Sequence, residues 1–373
     1  MMNNEMNNTL GGFVEVDKNL IIETKIDKPD IKFYDVRQEP FDVYGFYQYK
    51  TEPYFHRLPT EVGEATSAGV ARLEKESAGG RVRFSTDSPY VAISVEYELL
   101  GRNSHTPLEA SAGFDLYEDR PGSIAESTFT KAFQPPYDTD KKFEQVVNVG
   151  EPKKRYFTLN FPLHSVVKNV YIGIAESASL EGGAKYRNKR PVVVYGSSIV
   201  HGTGPTRPGL TYTNVLSRRL NLDITNLGFS GNAKAEQAIV DYMSELDMCI
   251  FVCDYDHNAP NPEYLQKTHK PMYDTFREYK PNIPYVMISR PDFVPGIKSS
   301  CERRDVIIDT FRHARSLGDK NVYYIDGESF FLGHYENDCT LDNCHPNDLG
   351  NSLMADGIEC TLRKILSITD CLS

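Results

Sequence analysis

The 373-residue chain lacks long apolar runs, blocks of basic charge and metal-type cysteine spacing. No stretch approaches the roughly 20 apolar residues that span a bilayer, so no membrane partner is expected. A surplus of 52 Asp and Glu over 41 Lys and Arg leaves a formal net charge of −11. With no Lys/Arg block to offset it, that charge excludes nucleic acid as the main partner. The opening residues, Met1 to Asn8, have no basic start followed by an apolar core. No signal peptide is therefore expected, and the cytoplasm is the expected location. The 7 cysteines are odd in number and scattered. Cys339 and Cys344 are the nearest candidates for a pair, but free thiols are the expectation.

What is present is a composition of soluble globular type, 40% hydrophobic and 25% charged, with length enough for two domains. The first half reads as β structure. Val82 and Phe84 alternate with arginines, and Val91, Ile93, Val95 and Tyr97 fall on one face. Phe157, Leu159 and Phe161 alternate with polar residues, and Val170, Ile172 and Ile174 repeat the pattern. Period-2 runs between Gly, Pro, Asn and Asp clusters predict an antiparallel sandwich, with no helix of convincing length before residue 200. A strand-and-loop lead-in carrying Val14 and Val16 is expected at the start.

The composition shifts at Glu181–Arg190, a charged, glycine-bearing stretch that reads as a linker. This sets the expected domains at 1–183 and 190–373. Beyond it, strands predicted at Val192–Tyr195, Asp223–Asn226, Met248–Cys253, Tyr285–Ser289 and Asn321–Ile325 alternate with helical stripes. The stripe from Leu265 to Tyr279 contains Pro271, so a kink or two short helices are expected there. Such alternation predicts right-handed crossovers and a parallel sheet covered on both sides, an α/β architecture.

The chemistry concentrates at strand ends. Val192–Tyr195 runs into Gly196-Ser-Ser, which sets a hydroxyl at the carboxyl end of a buried strand, where open α/β sheets place their sites. A serine nucleophile needs a base and a group to orient it. Asp342 and His345 stand three residues apart before the terminal helix, and Pro346 keeps His345 in the loop. Oxyanion donors could come from the glycine turn at Gly231 or the side-chain amide of Asn258, each following a strand. A glycine turn, a turn-forming asparagine and a capping aspartate are the bland alternatives.

Taken together, Gly196-Ser-Ser-Ile199, Asn226-Leu-Gly-Phe-Ser-Gly231, Asn258 and Asp342-x-x-His345 resemble the four blocks of the SGNH (GDSL-type) hydrolases, in order. The resemblance implies that Ser198, rather than Ser197, is the nucleophile. It also implies an oxyanion hole of the Ser198 backbone N–H, Gly231 and Asn258, with His345 as general base and acid oriented by Asp342. Gly113-Phe-Asp-Leu-Tyr117 resembles the signature of the β-sandwich domain that precedes one branch of these hydrolases. The implied architecture is a flavodoxin-like parallel sheet behind an N-terminal, jelly-roll-like antiparallel sandwich. Two departures stand out: Ser197 replaces the usual Asp, and Asp254-Tyr-Asp-His-Asn258 replaces Gly-x-Asn-Asp. The Gly-x-Ser-x-Gly elbow of the α/β-hydrolase fold is absent around Ser198.

His201 and Arg290 lie just past predicted strand ends and are candidate substrate contacts, with a plain loop role as the alternative. His257, beside Asn258, is a candidate contact or second base, with filling out the pocket wall the expectation. Asp115 is expected to tie a turn within the sandwich. No metal or cofactor is implied. The expected activity is hydrolysis of small acyl esters, acetyl foremost, on a carbohydrate. An acyltransferase using the same serine, or a non-catalytic carbohydrate-binding protein, are the alternatives. The sequence leaves the oligomeric state open.

Overall fold

The computed structural model describes residues 25–121, 127–292, 297, 299–333 and 336–368. The lead-in with Val14 and Val16 lies outside them. Among the described residues, ten strands precede residue 183: β1 (Ile31–Asp35), β2 (Asp42–Tyr44), β3 (Arg81–Thr86), β4 (Tyr90–Leu99), β5 (Phe114–Asp119), β6 (Thr128–Phe133), β7 (Lys142–Asn148), β8 (Arg155–Asn160), β9 (Val166–Ala175) and β10 (Leu180–Gly182). They form two antiparallel sheets, ordered β1-β9-β4-β7 and β10-β3-β8-β5-β6, with β2 added beside β3. Val82, Phe84, Val91, Ile93, Phe157, Leu159 and Ile172 fill one core between them, as the period-2 pattern requires.

The polar positions of β3 do not face water. Arg81 and Arg83 are buried against the second half, where Arg81 pairs with Asp223 at 2.6 Å and Arg83 reaches Asn221 at 3.2 Å. Alternation with arginine thus marks an interface. Asp115 behaves likewise. The expected tie within the sandwich exists, Asn160 donating to it at 2.7 Å, but Arg207 and the Gly209 N–H donate to it from the other half.

The second half holds β11 (Val192–Gly196), β12 (Ile224–Gly228), β13 (Ile250–Asp254), β14 (Tyr285–Ile288) and β15 (Val322–Ile325). All pair in parallel in the order β12-β11-β13-β14-β15. This is the flavodoxin-like order, whose direction reverses between its first and third strands, here β11 and β13. The crevice at their carboxyl ends is where such sheets bind ligands.

Helices cover both faces. The helix Pro262–Tyr279 runs through Pro271 as one element, so the two short helices offered as one expectation are a single helix. Leu265, Met272, Tyr273 and Phe276 seat it in the core beside β13 and β14, and that packing offsets the lost backbone bond. Two short helices, Thr60–Thr66 and Ala68–Leu73, precede the sandwich strand β3. Leu58, Val70 and Leu73 pack into the core of the parallel sheet, so this early segment belongs with the later half in space. No helix among the described residues is long and apolar enough to cross a membrane.

Candidate active site

β11 ends at Gly196, and Ser198 opens a one-turn helix, Ser198–His201. Ser197 is buried and its hydroxyl accepts the Ile199 N–H at 3.2 Å, capping that turn. Asp and Ser are interchangeable N-caps, which gives a physical reason why Ser stands where Asp is usual. Ser198 instead faces the crevice.

The loop before the terminal helix brings the base. Leu341 donates to the His345 carbonyl at 3.0 Å and Asn347 to that of Cys339 at 3.0 Å, so the segment closes on itself. The terminal helix begins at Asp348, just after Pro346, which leaves His345 in the loop as expected. The Ser198 Oγ lies 2.9 Å from His345 Nε2. His345 Nδ1 lies 2.7 Å from Asp342 Oδ2. The other carboxylate oxygen accepts the backbone N–H groups of His345 at 2.8 Å and Cys344 at 3.1 Å. Burial pushes the Asp342 carboxyl up, but the N–H and imidazole of His345 outweigh it and hold the group below its ordinary range. An ionised Asp342 fixes the imidazole with Nε2 free to accept the serine proton.

Gly231 and Asn258 reach the same crevice from β12 and β13. Gly231 has a φ of +72°, and a Cβ there would meet nothing within 4 Å. Its glycine is required by backbone conformation rather than by crowding. Asn258 sits in the turn Asp256–Asn258, where its Oδ1 accepts the Ala233 N–H at 3.1 Å. That bond turns the carboxamide NH₂ the other way, as a donor.

Ser198, Gly231, Asn258 and His345 line one open cleft of ≈ 920 Å³. The sandwich supplies part of its wall through Leu99, Arg102, His105 and His164. A hydroxyl in line with an imidazole and a carboxylate, facing amide donors, has the parts for acyl transfer.

Residues 189–363 match the GDSL-like lipase/acylhydrolase family, and residues 31–180 match the N-terminus of the SGNH-hydrolase-type esterases, named for Gly-x-Asp-Leu-Tyr. Residues 189–363 belong to the GDSL-like lipase/acylhydrolase family. It is similar to the crystal structure of a protein described as a GDSL-like lipase from Bacteroides ovatus, with 27% identity and a TM-score of 0.80 over 91% of this chain and 99% of that one. The salicylyl-acyltransferase SsfX3 of a tetracycline biosynthetic pathway has a TM-score of 0.74 at 18% identity, over 92% and 100% of the two chains. A family two carbohydrate esterase from Cellvibrio japonicus has a TM-score of 0.57 at 12% identity, over 92% and 99%. These two share the fold. No curated protein matches the sequence.

Within this GDSL-like hydrolase, the remaining candidates separate. His257 and Arg290 both line the cleft. Asp292 accepts from His257 Nε2 at 2.7 Å and from Arg290 at 2.8 Å through each oxygen. His201 does not line the cleft. It is fully buried beneath Ser230, with Nε2 against the Leu163 carbonyl at 2.9 Å and Glu76 at 3.1 Å. The expected substrate contact is replaced by a bridge between sandwich and sheet.

Two groups bring three potential metal ligands together: Glu76 with His164 and His201, and His257 with Asp292 and Cys344. Neither donor set suits a cation. The Ser230 N–H donates to His201 Nδ1 at 3.4 Å, so Nε2 carries the proton and donates rather than ligates. In the second group, Asp292 is already occupied by Arg290, whose positive charge repels an ion.

Sequence reasoning missed Glu76, His164 and Asp292. None belongs to a motif. Asp292 had one legible signal, two residues past Arg290 at a strand end. Glu76 and His164 arrive from sandwich loops with no pattern to mark them.

Proposed function

We propose that this protein is a serine esterase that removes small acyl groups, acetyl foremost, from carbohydrates. The observation that carries the reading is the continuous line from Ser198 Oγ through His345 to Asp342, at 2.9 and 2.7 Å, on the wall of an open cleft. In this account Ser198 Oγ attacks the ester carbonyl while His345 Nε2 takes its proton. The Ser198 N–H, Gly231 N–H and Asn258 amide hold the oxyanion. Collapse breaks the bond to the alcohol, which leaves with the proton from His345. Water, deprotonated by the same imidazole, then releases the acid and restores the serine. No step calls for a metal or cofactor. In the same account His257 and Arg290, which line the cleft, touch the substrate from its wall.

The carbohydrate preference is supported by the family two carbohydrate esterases of like fold and by a cleft walled partly by the sandwich. The reading divides the chain into a sandwich domain, 1–183, and a catalytic domain, 190–373. It places the protein in the cytoplasm, acting on imported oligosaccharides. Acetate release from acetylated oligosaccharides by wild type and Ser198→Ala tests it. Release that depends on Ser198 supports the proposal. Cleavage of longer acyl esters without acetate release refutes the acetyl preference.

A second reading, transfer of the acyl group to another alcohol, is favoured by the openness of the cleft and by the acyltransferase of like fold. Product analysis with and without an added sugar acceptor separates the two.

A further inference from the structure

Beside the catalytic cleft, the sandwich carries a second hollow of ≈ 360 Å³. Arg102, Asn103, Thr106, Leu108, Ser111 and Tyr137 line it. Arg102 and Asn103 also line the cleft that holds Ser198, so the two spaces adjoin. We propose that this hollow is a sugar-binding subsite that holds the carbohydrate part of the ester while Ser198 acts on its acyl group. The proposal rests on the carbohydrate-ester reading and adds where the sugar lies.

Three observations carry it. First, the hydroxyls of Thr106 and Ser111 are buried and have no hydrogen-bond partner among the described residues. Buried hydroxyls are normally satisfied, and these two lie just behind the wall of one hollow, where a modest turn of either side chain presents its oxygen to a ligand. A sugar hydroxyl donates and accepts, and matches a Ser or Thr hydroxyl in either role. An acyl chain would leave both unpaired.

Second, Tyr137 leaves 83% of its surface exposed, the most of any large apolar or aromatic side chain described. Its backbone is nevertheless held. Arg102 donates to the Tyr137 carbonyl at 3.1 Å and to that of Thr139 at 2.5 Å. A ring presented to solvent on an anchored loop is a stacking face for the C–H side of a pyranose, obtained at little entropic cost.

Third, the charge in the hollow suits a neutral polyol. Among the described residues, Arg102 is the one cation on its wall and is engaged by two carbonyl oxygens, and no carboxylate lines the space. Asn103 and Thr106 form an isolated bridge that holds the turn in shape, and Leu108 supplies an apolar surface.

The test is calorimetric titration of the wild-type chain with unsubstituted xylo-, cello-, manno- and chito-oligosaccharides of graded length. None is an ester, so binding is read without turnover. Binding of at least one series is expected, tighter with added sugar units, and weakened at least tenfold by Tyr137→Ala. Tyr279→Ala, which removes another exposed ring that lines neither the cleft nor the hollow, keeps the wild-type affinity. Absence of binding by all four series, or wild-type affinity in Tyr137→Ala, overturns the subsite. Failure of the esterase reading is separate: it would appear as absent p-nitrophenyl acetate turnover in a protein that still binds sugar.

Discussion

Asp115 of the sandwich accepts a hydrogen bond from the backbone N–H of Gly209, in the catalytic half, at 2.8 Å. Arg207 and Asn160 complete its coordination at 2.9 and 2.7 Å. A Cβ at position 209 would lie 2.6 Å from the Tyr117 ring and 2.7 Å from the Asp115 carboxylate, so the approach requires glycine. Tyr117 stands under the guanidinium groups of Arg207 and Arg218. The Phe-Asp-Leu-Tyr stretch is thus a latch between the halves, and it holds the loop that leads from Ser198 into the helix Tyr212–Leu220.

Removing that carboxylate leaves Arg207, Asn160 and the Gly209 N–H without their buried partner. Asp115→Ala is expected to lower unfolding free energy by about 3–5 kcal/mol. Urea unfolding followed by circular dichroism measures it. An unchanged midpoint would show that the latch contributes nothing.

Asp342→Asn keeps the shape of the base's support and removes its charge. The imidazole loses its preferred tautomer and the stabilisation of its protonated form. A fall in kcat of about two to four orders of magnitude on p-nitrophenyl acetate is expected. Asp342 is partly exposed, so the melting temperature should hardly move. A variant that keeps its rate would remove Asp342 from the mechanism.

Much of this was legible because it follows from periodicity. The five parallel strands lie where Val192–Tyr195, Asp223–Asn226 and their successors predicted them, since buried strands read as apolar runs. Ser198, Gly231, Asn258 and His345 meet because each follows a strand or loop at the same end of one sheet. What was not legible depends on the meeting of distant segments. Arg81 and Arg83 read only as the polar partners of Val82 and Phe84, yet burial beside Asp223 and Asn221 makes them interface. His201 read as a substrate contact by its place after Ser198, but the Leu163 carbonyl and Glu76 come from the sandwich to enclose it. Pro271 read as a kink or a division into two helices, and core packing carried one helix through it.

Asn258→Ala removes one proposed oxyanion donor. A fall in kcat of about 10²–10³ with little change in KM is expected, because the donor acts on charge that develops in the transition state. Steady-state kinetics on a small ester reads this directly. A rise in KM at constant kcat would instead mark Asn258 as a ground-state contact.

The buried bridge beneath Ser230 makes stability pH-dependent. Burial and the nearby charge of Arg57 push the His201 imidazole down to about 4. Burial raises the Glu76 carboxyl, but its bonds to His164 and His201 outweigh that and hold it well below its ordinary range. In the unfolded chain His201 takes up its proton near an ordinary value of about 6.5. The unfolded state therefore binds more protons between about pH 6.5 and 4, and stability falls as pH falls through that window. Glu76 adds a loss of the same sign at lower pH. Denaturation midpoints across this range should show the slope, and His201→Gln should flatten its upper part. A slope left unchanged by His201→Gln would contradict the neutral state of His201.

The central claim is that Ser198 carries the acyl group. Rapid acid quench of the enzyme turning over p-nitrophenyl acetate, followed by peptide mass spectrometry, tests it most directly. The account predicts one acetyl group on Ser198, its absence in Ser198→Ala, and its persistence in Ser197→Ala, where only a helix cap is lost. Acetyl on Ser197, or labelling that survives Ser198→Ala, would contradict it.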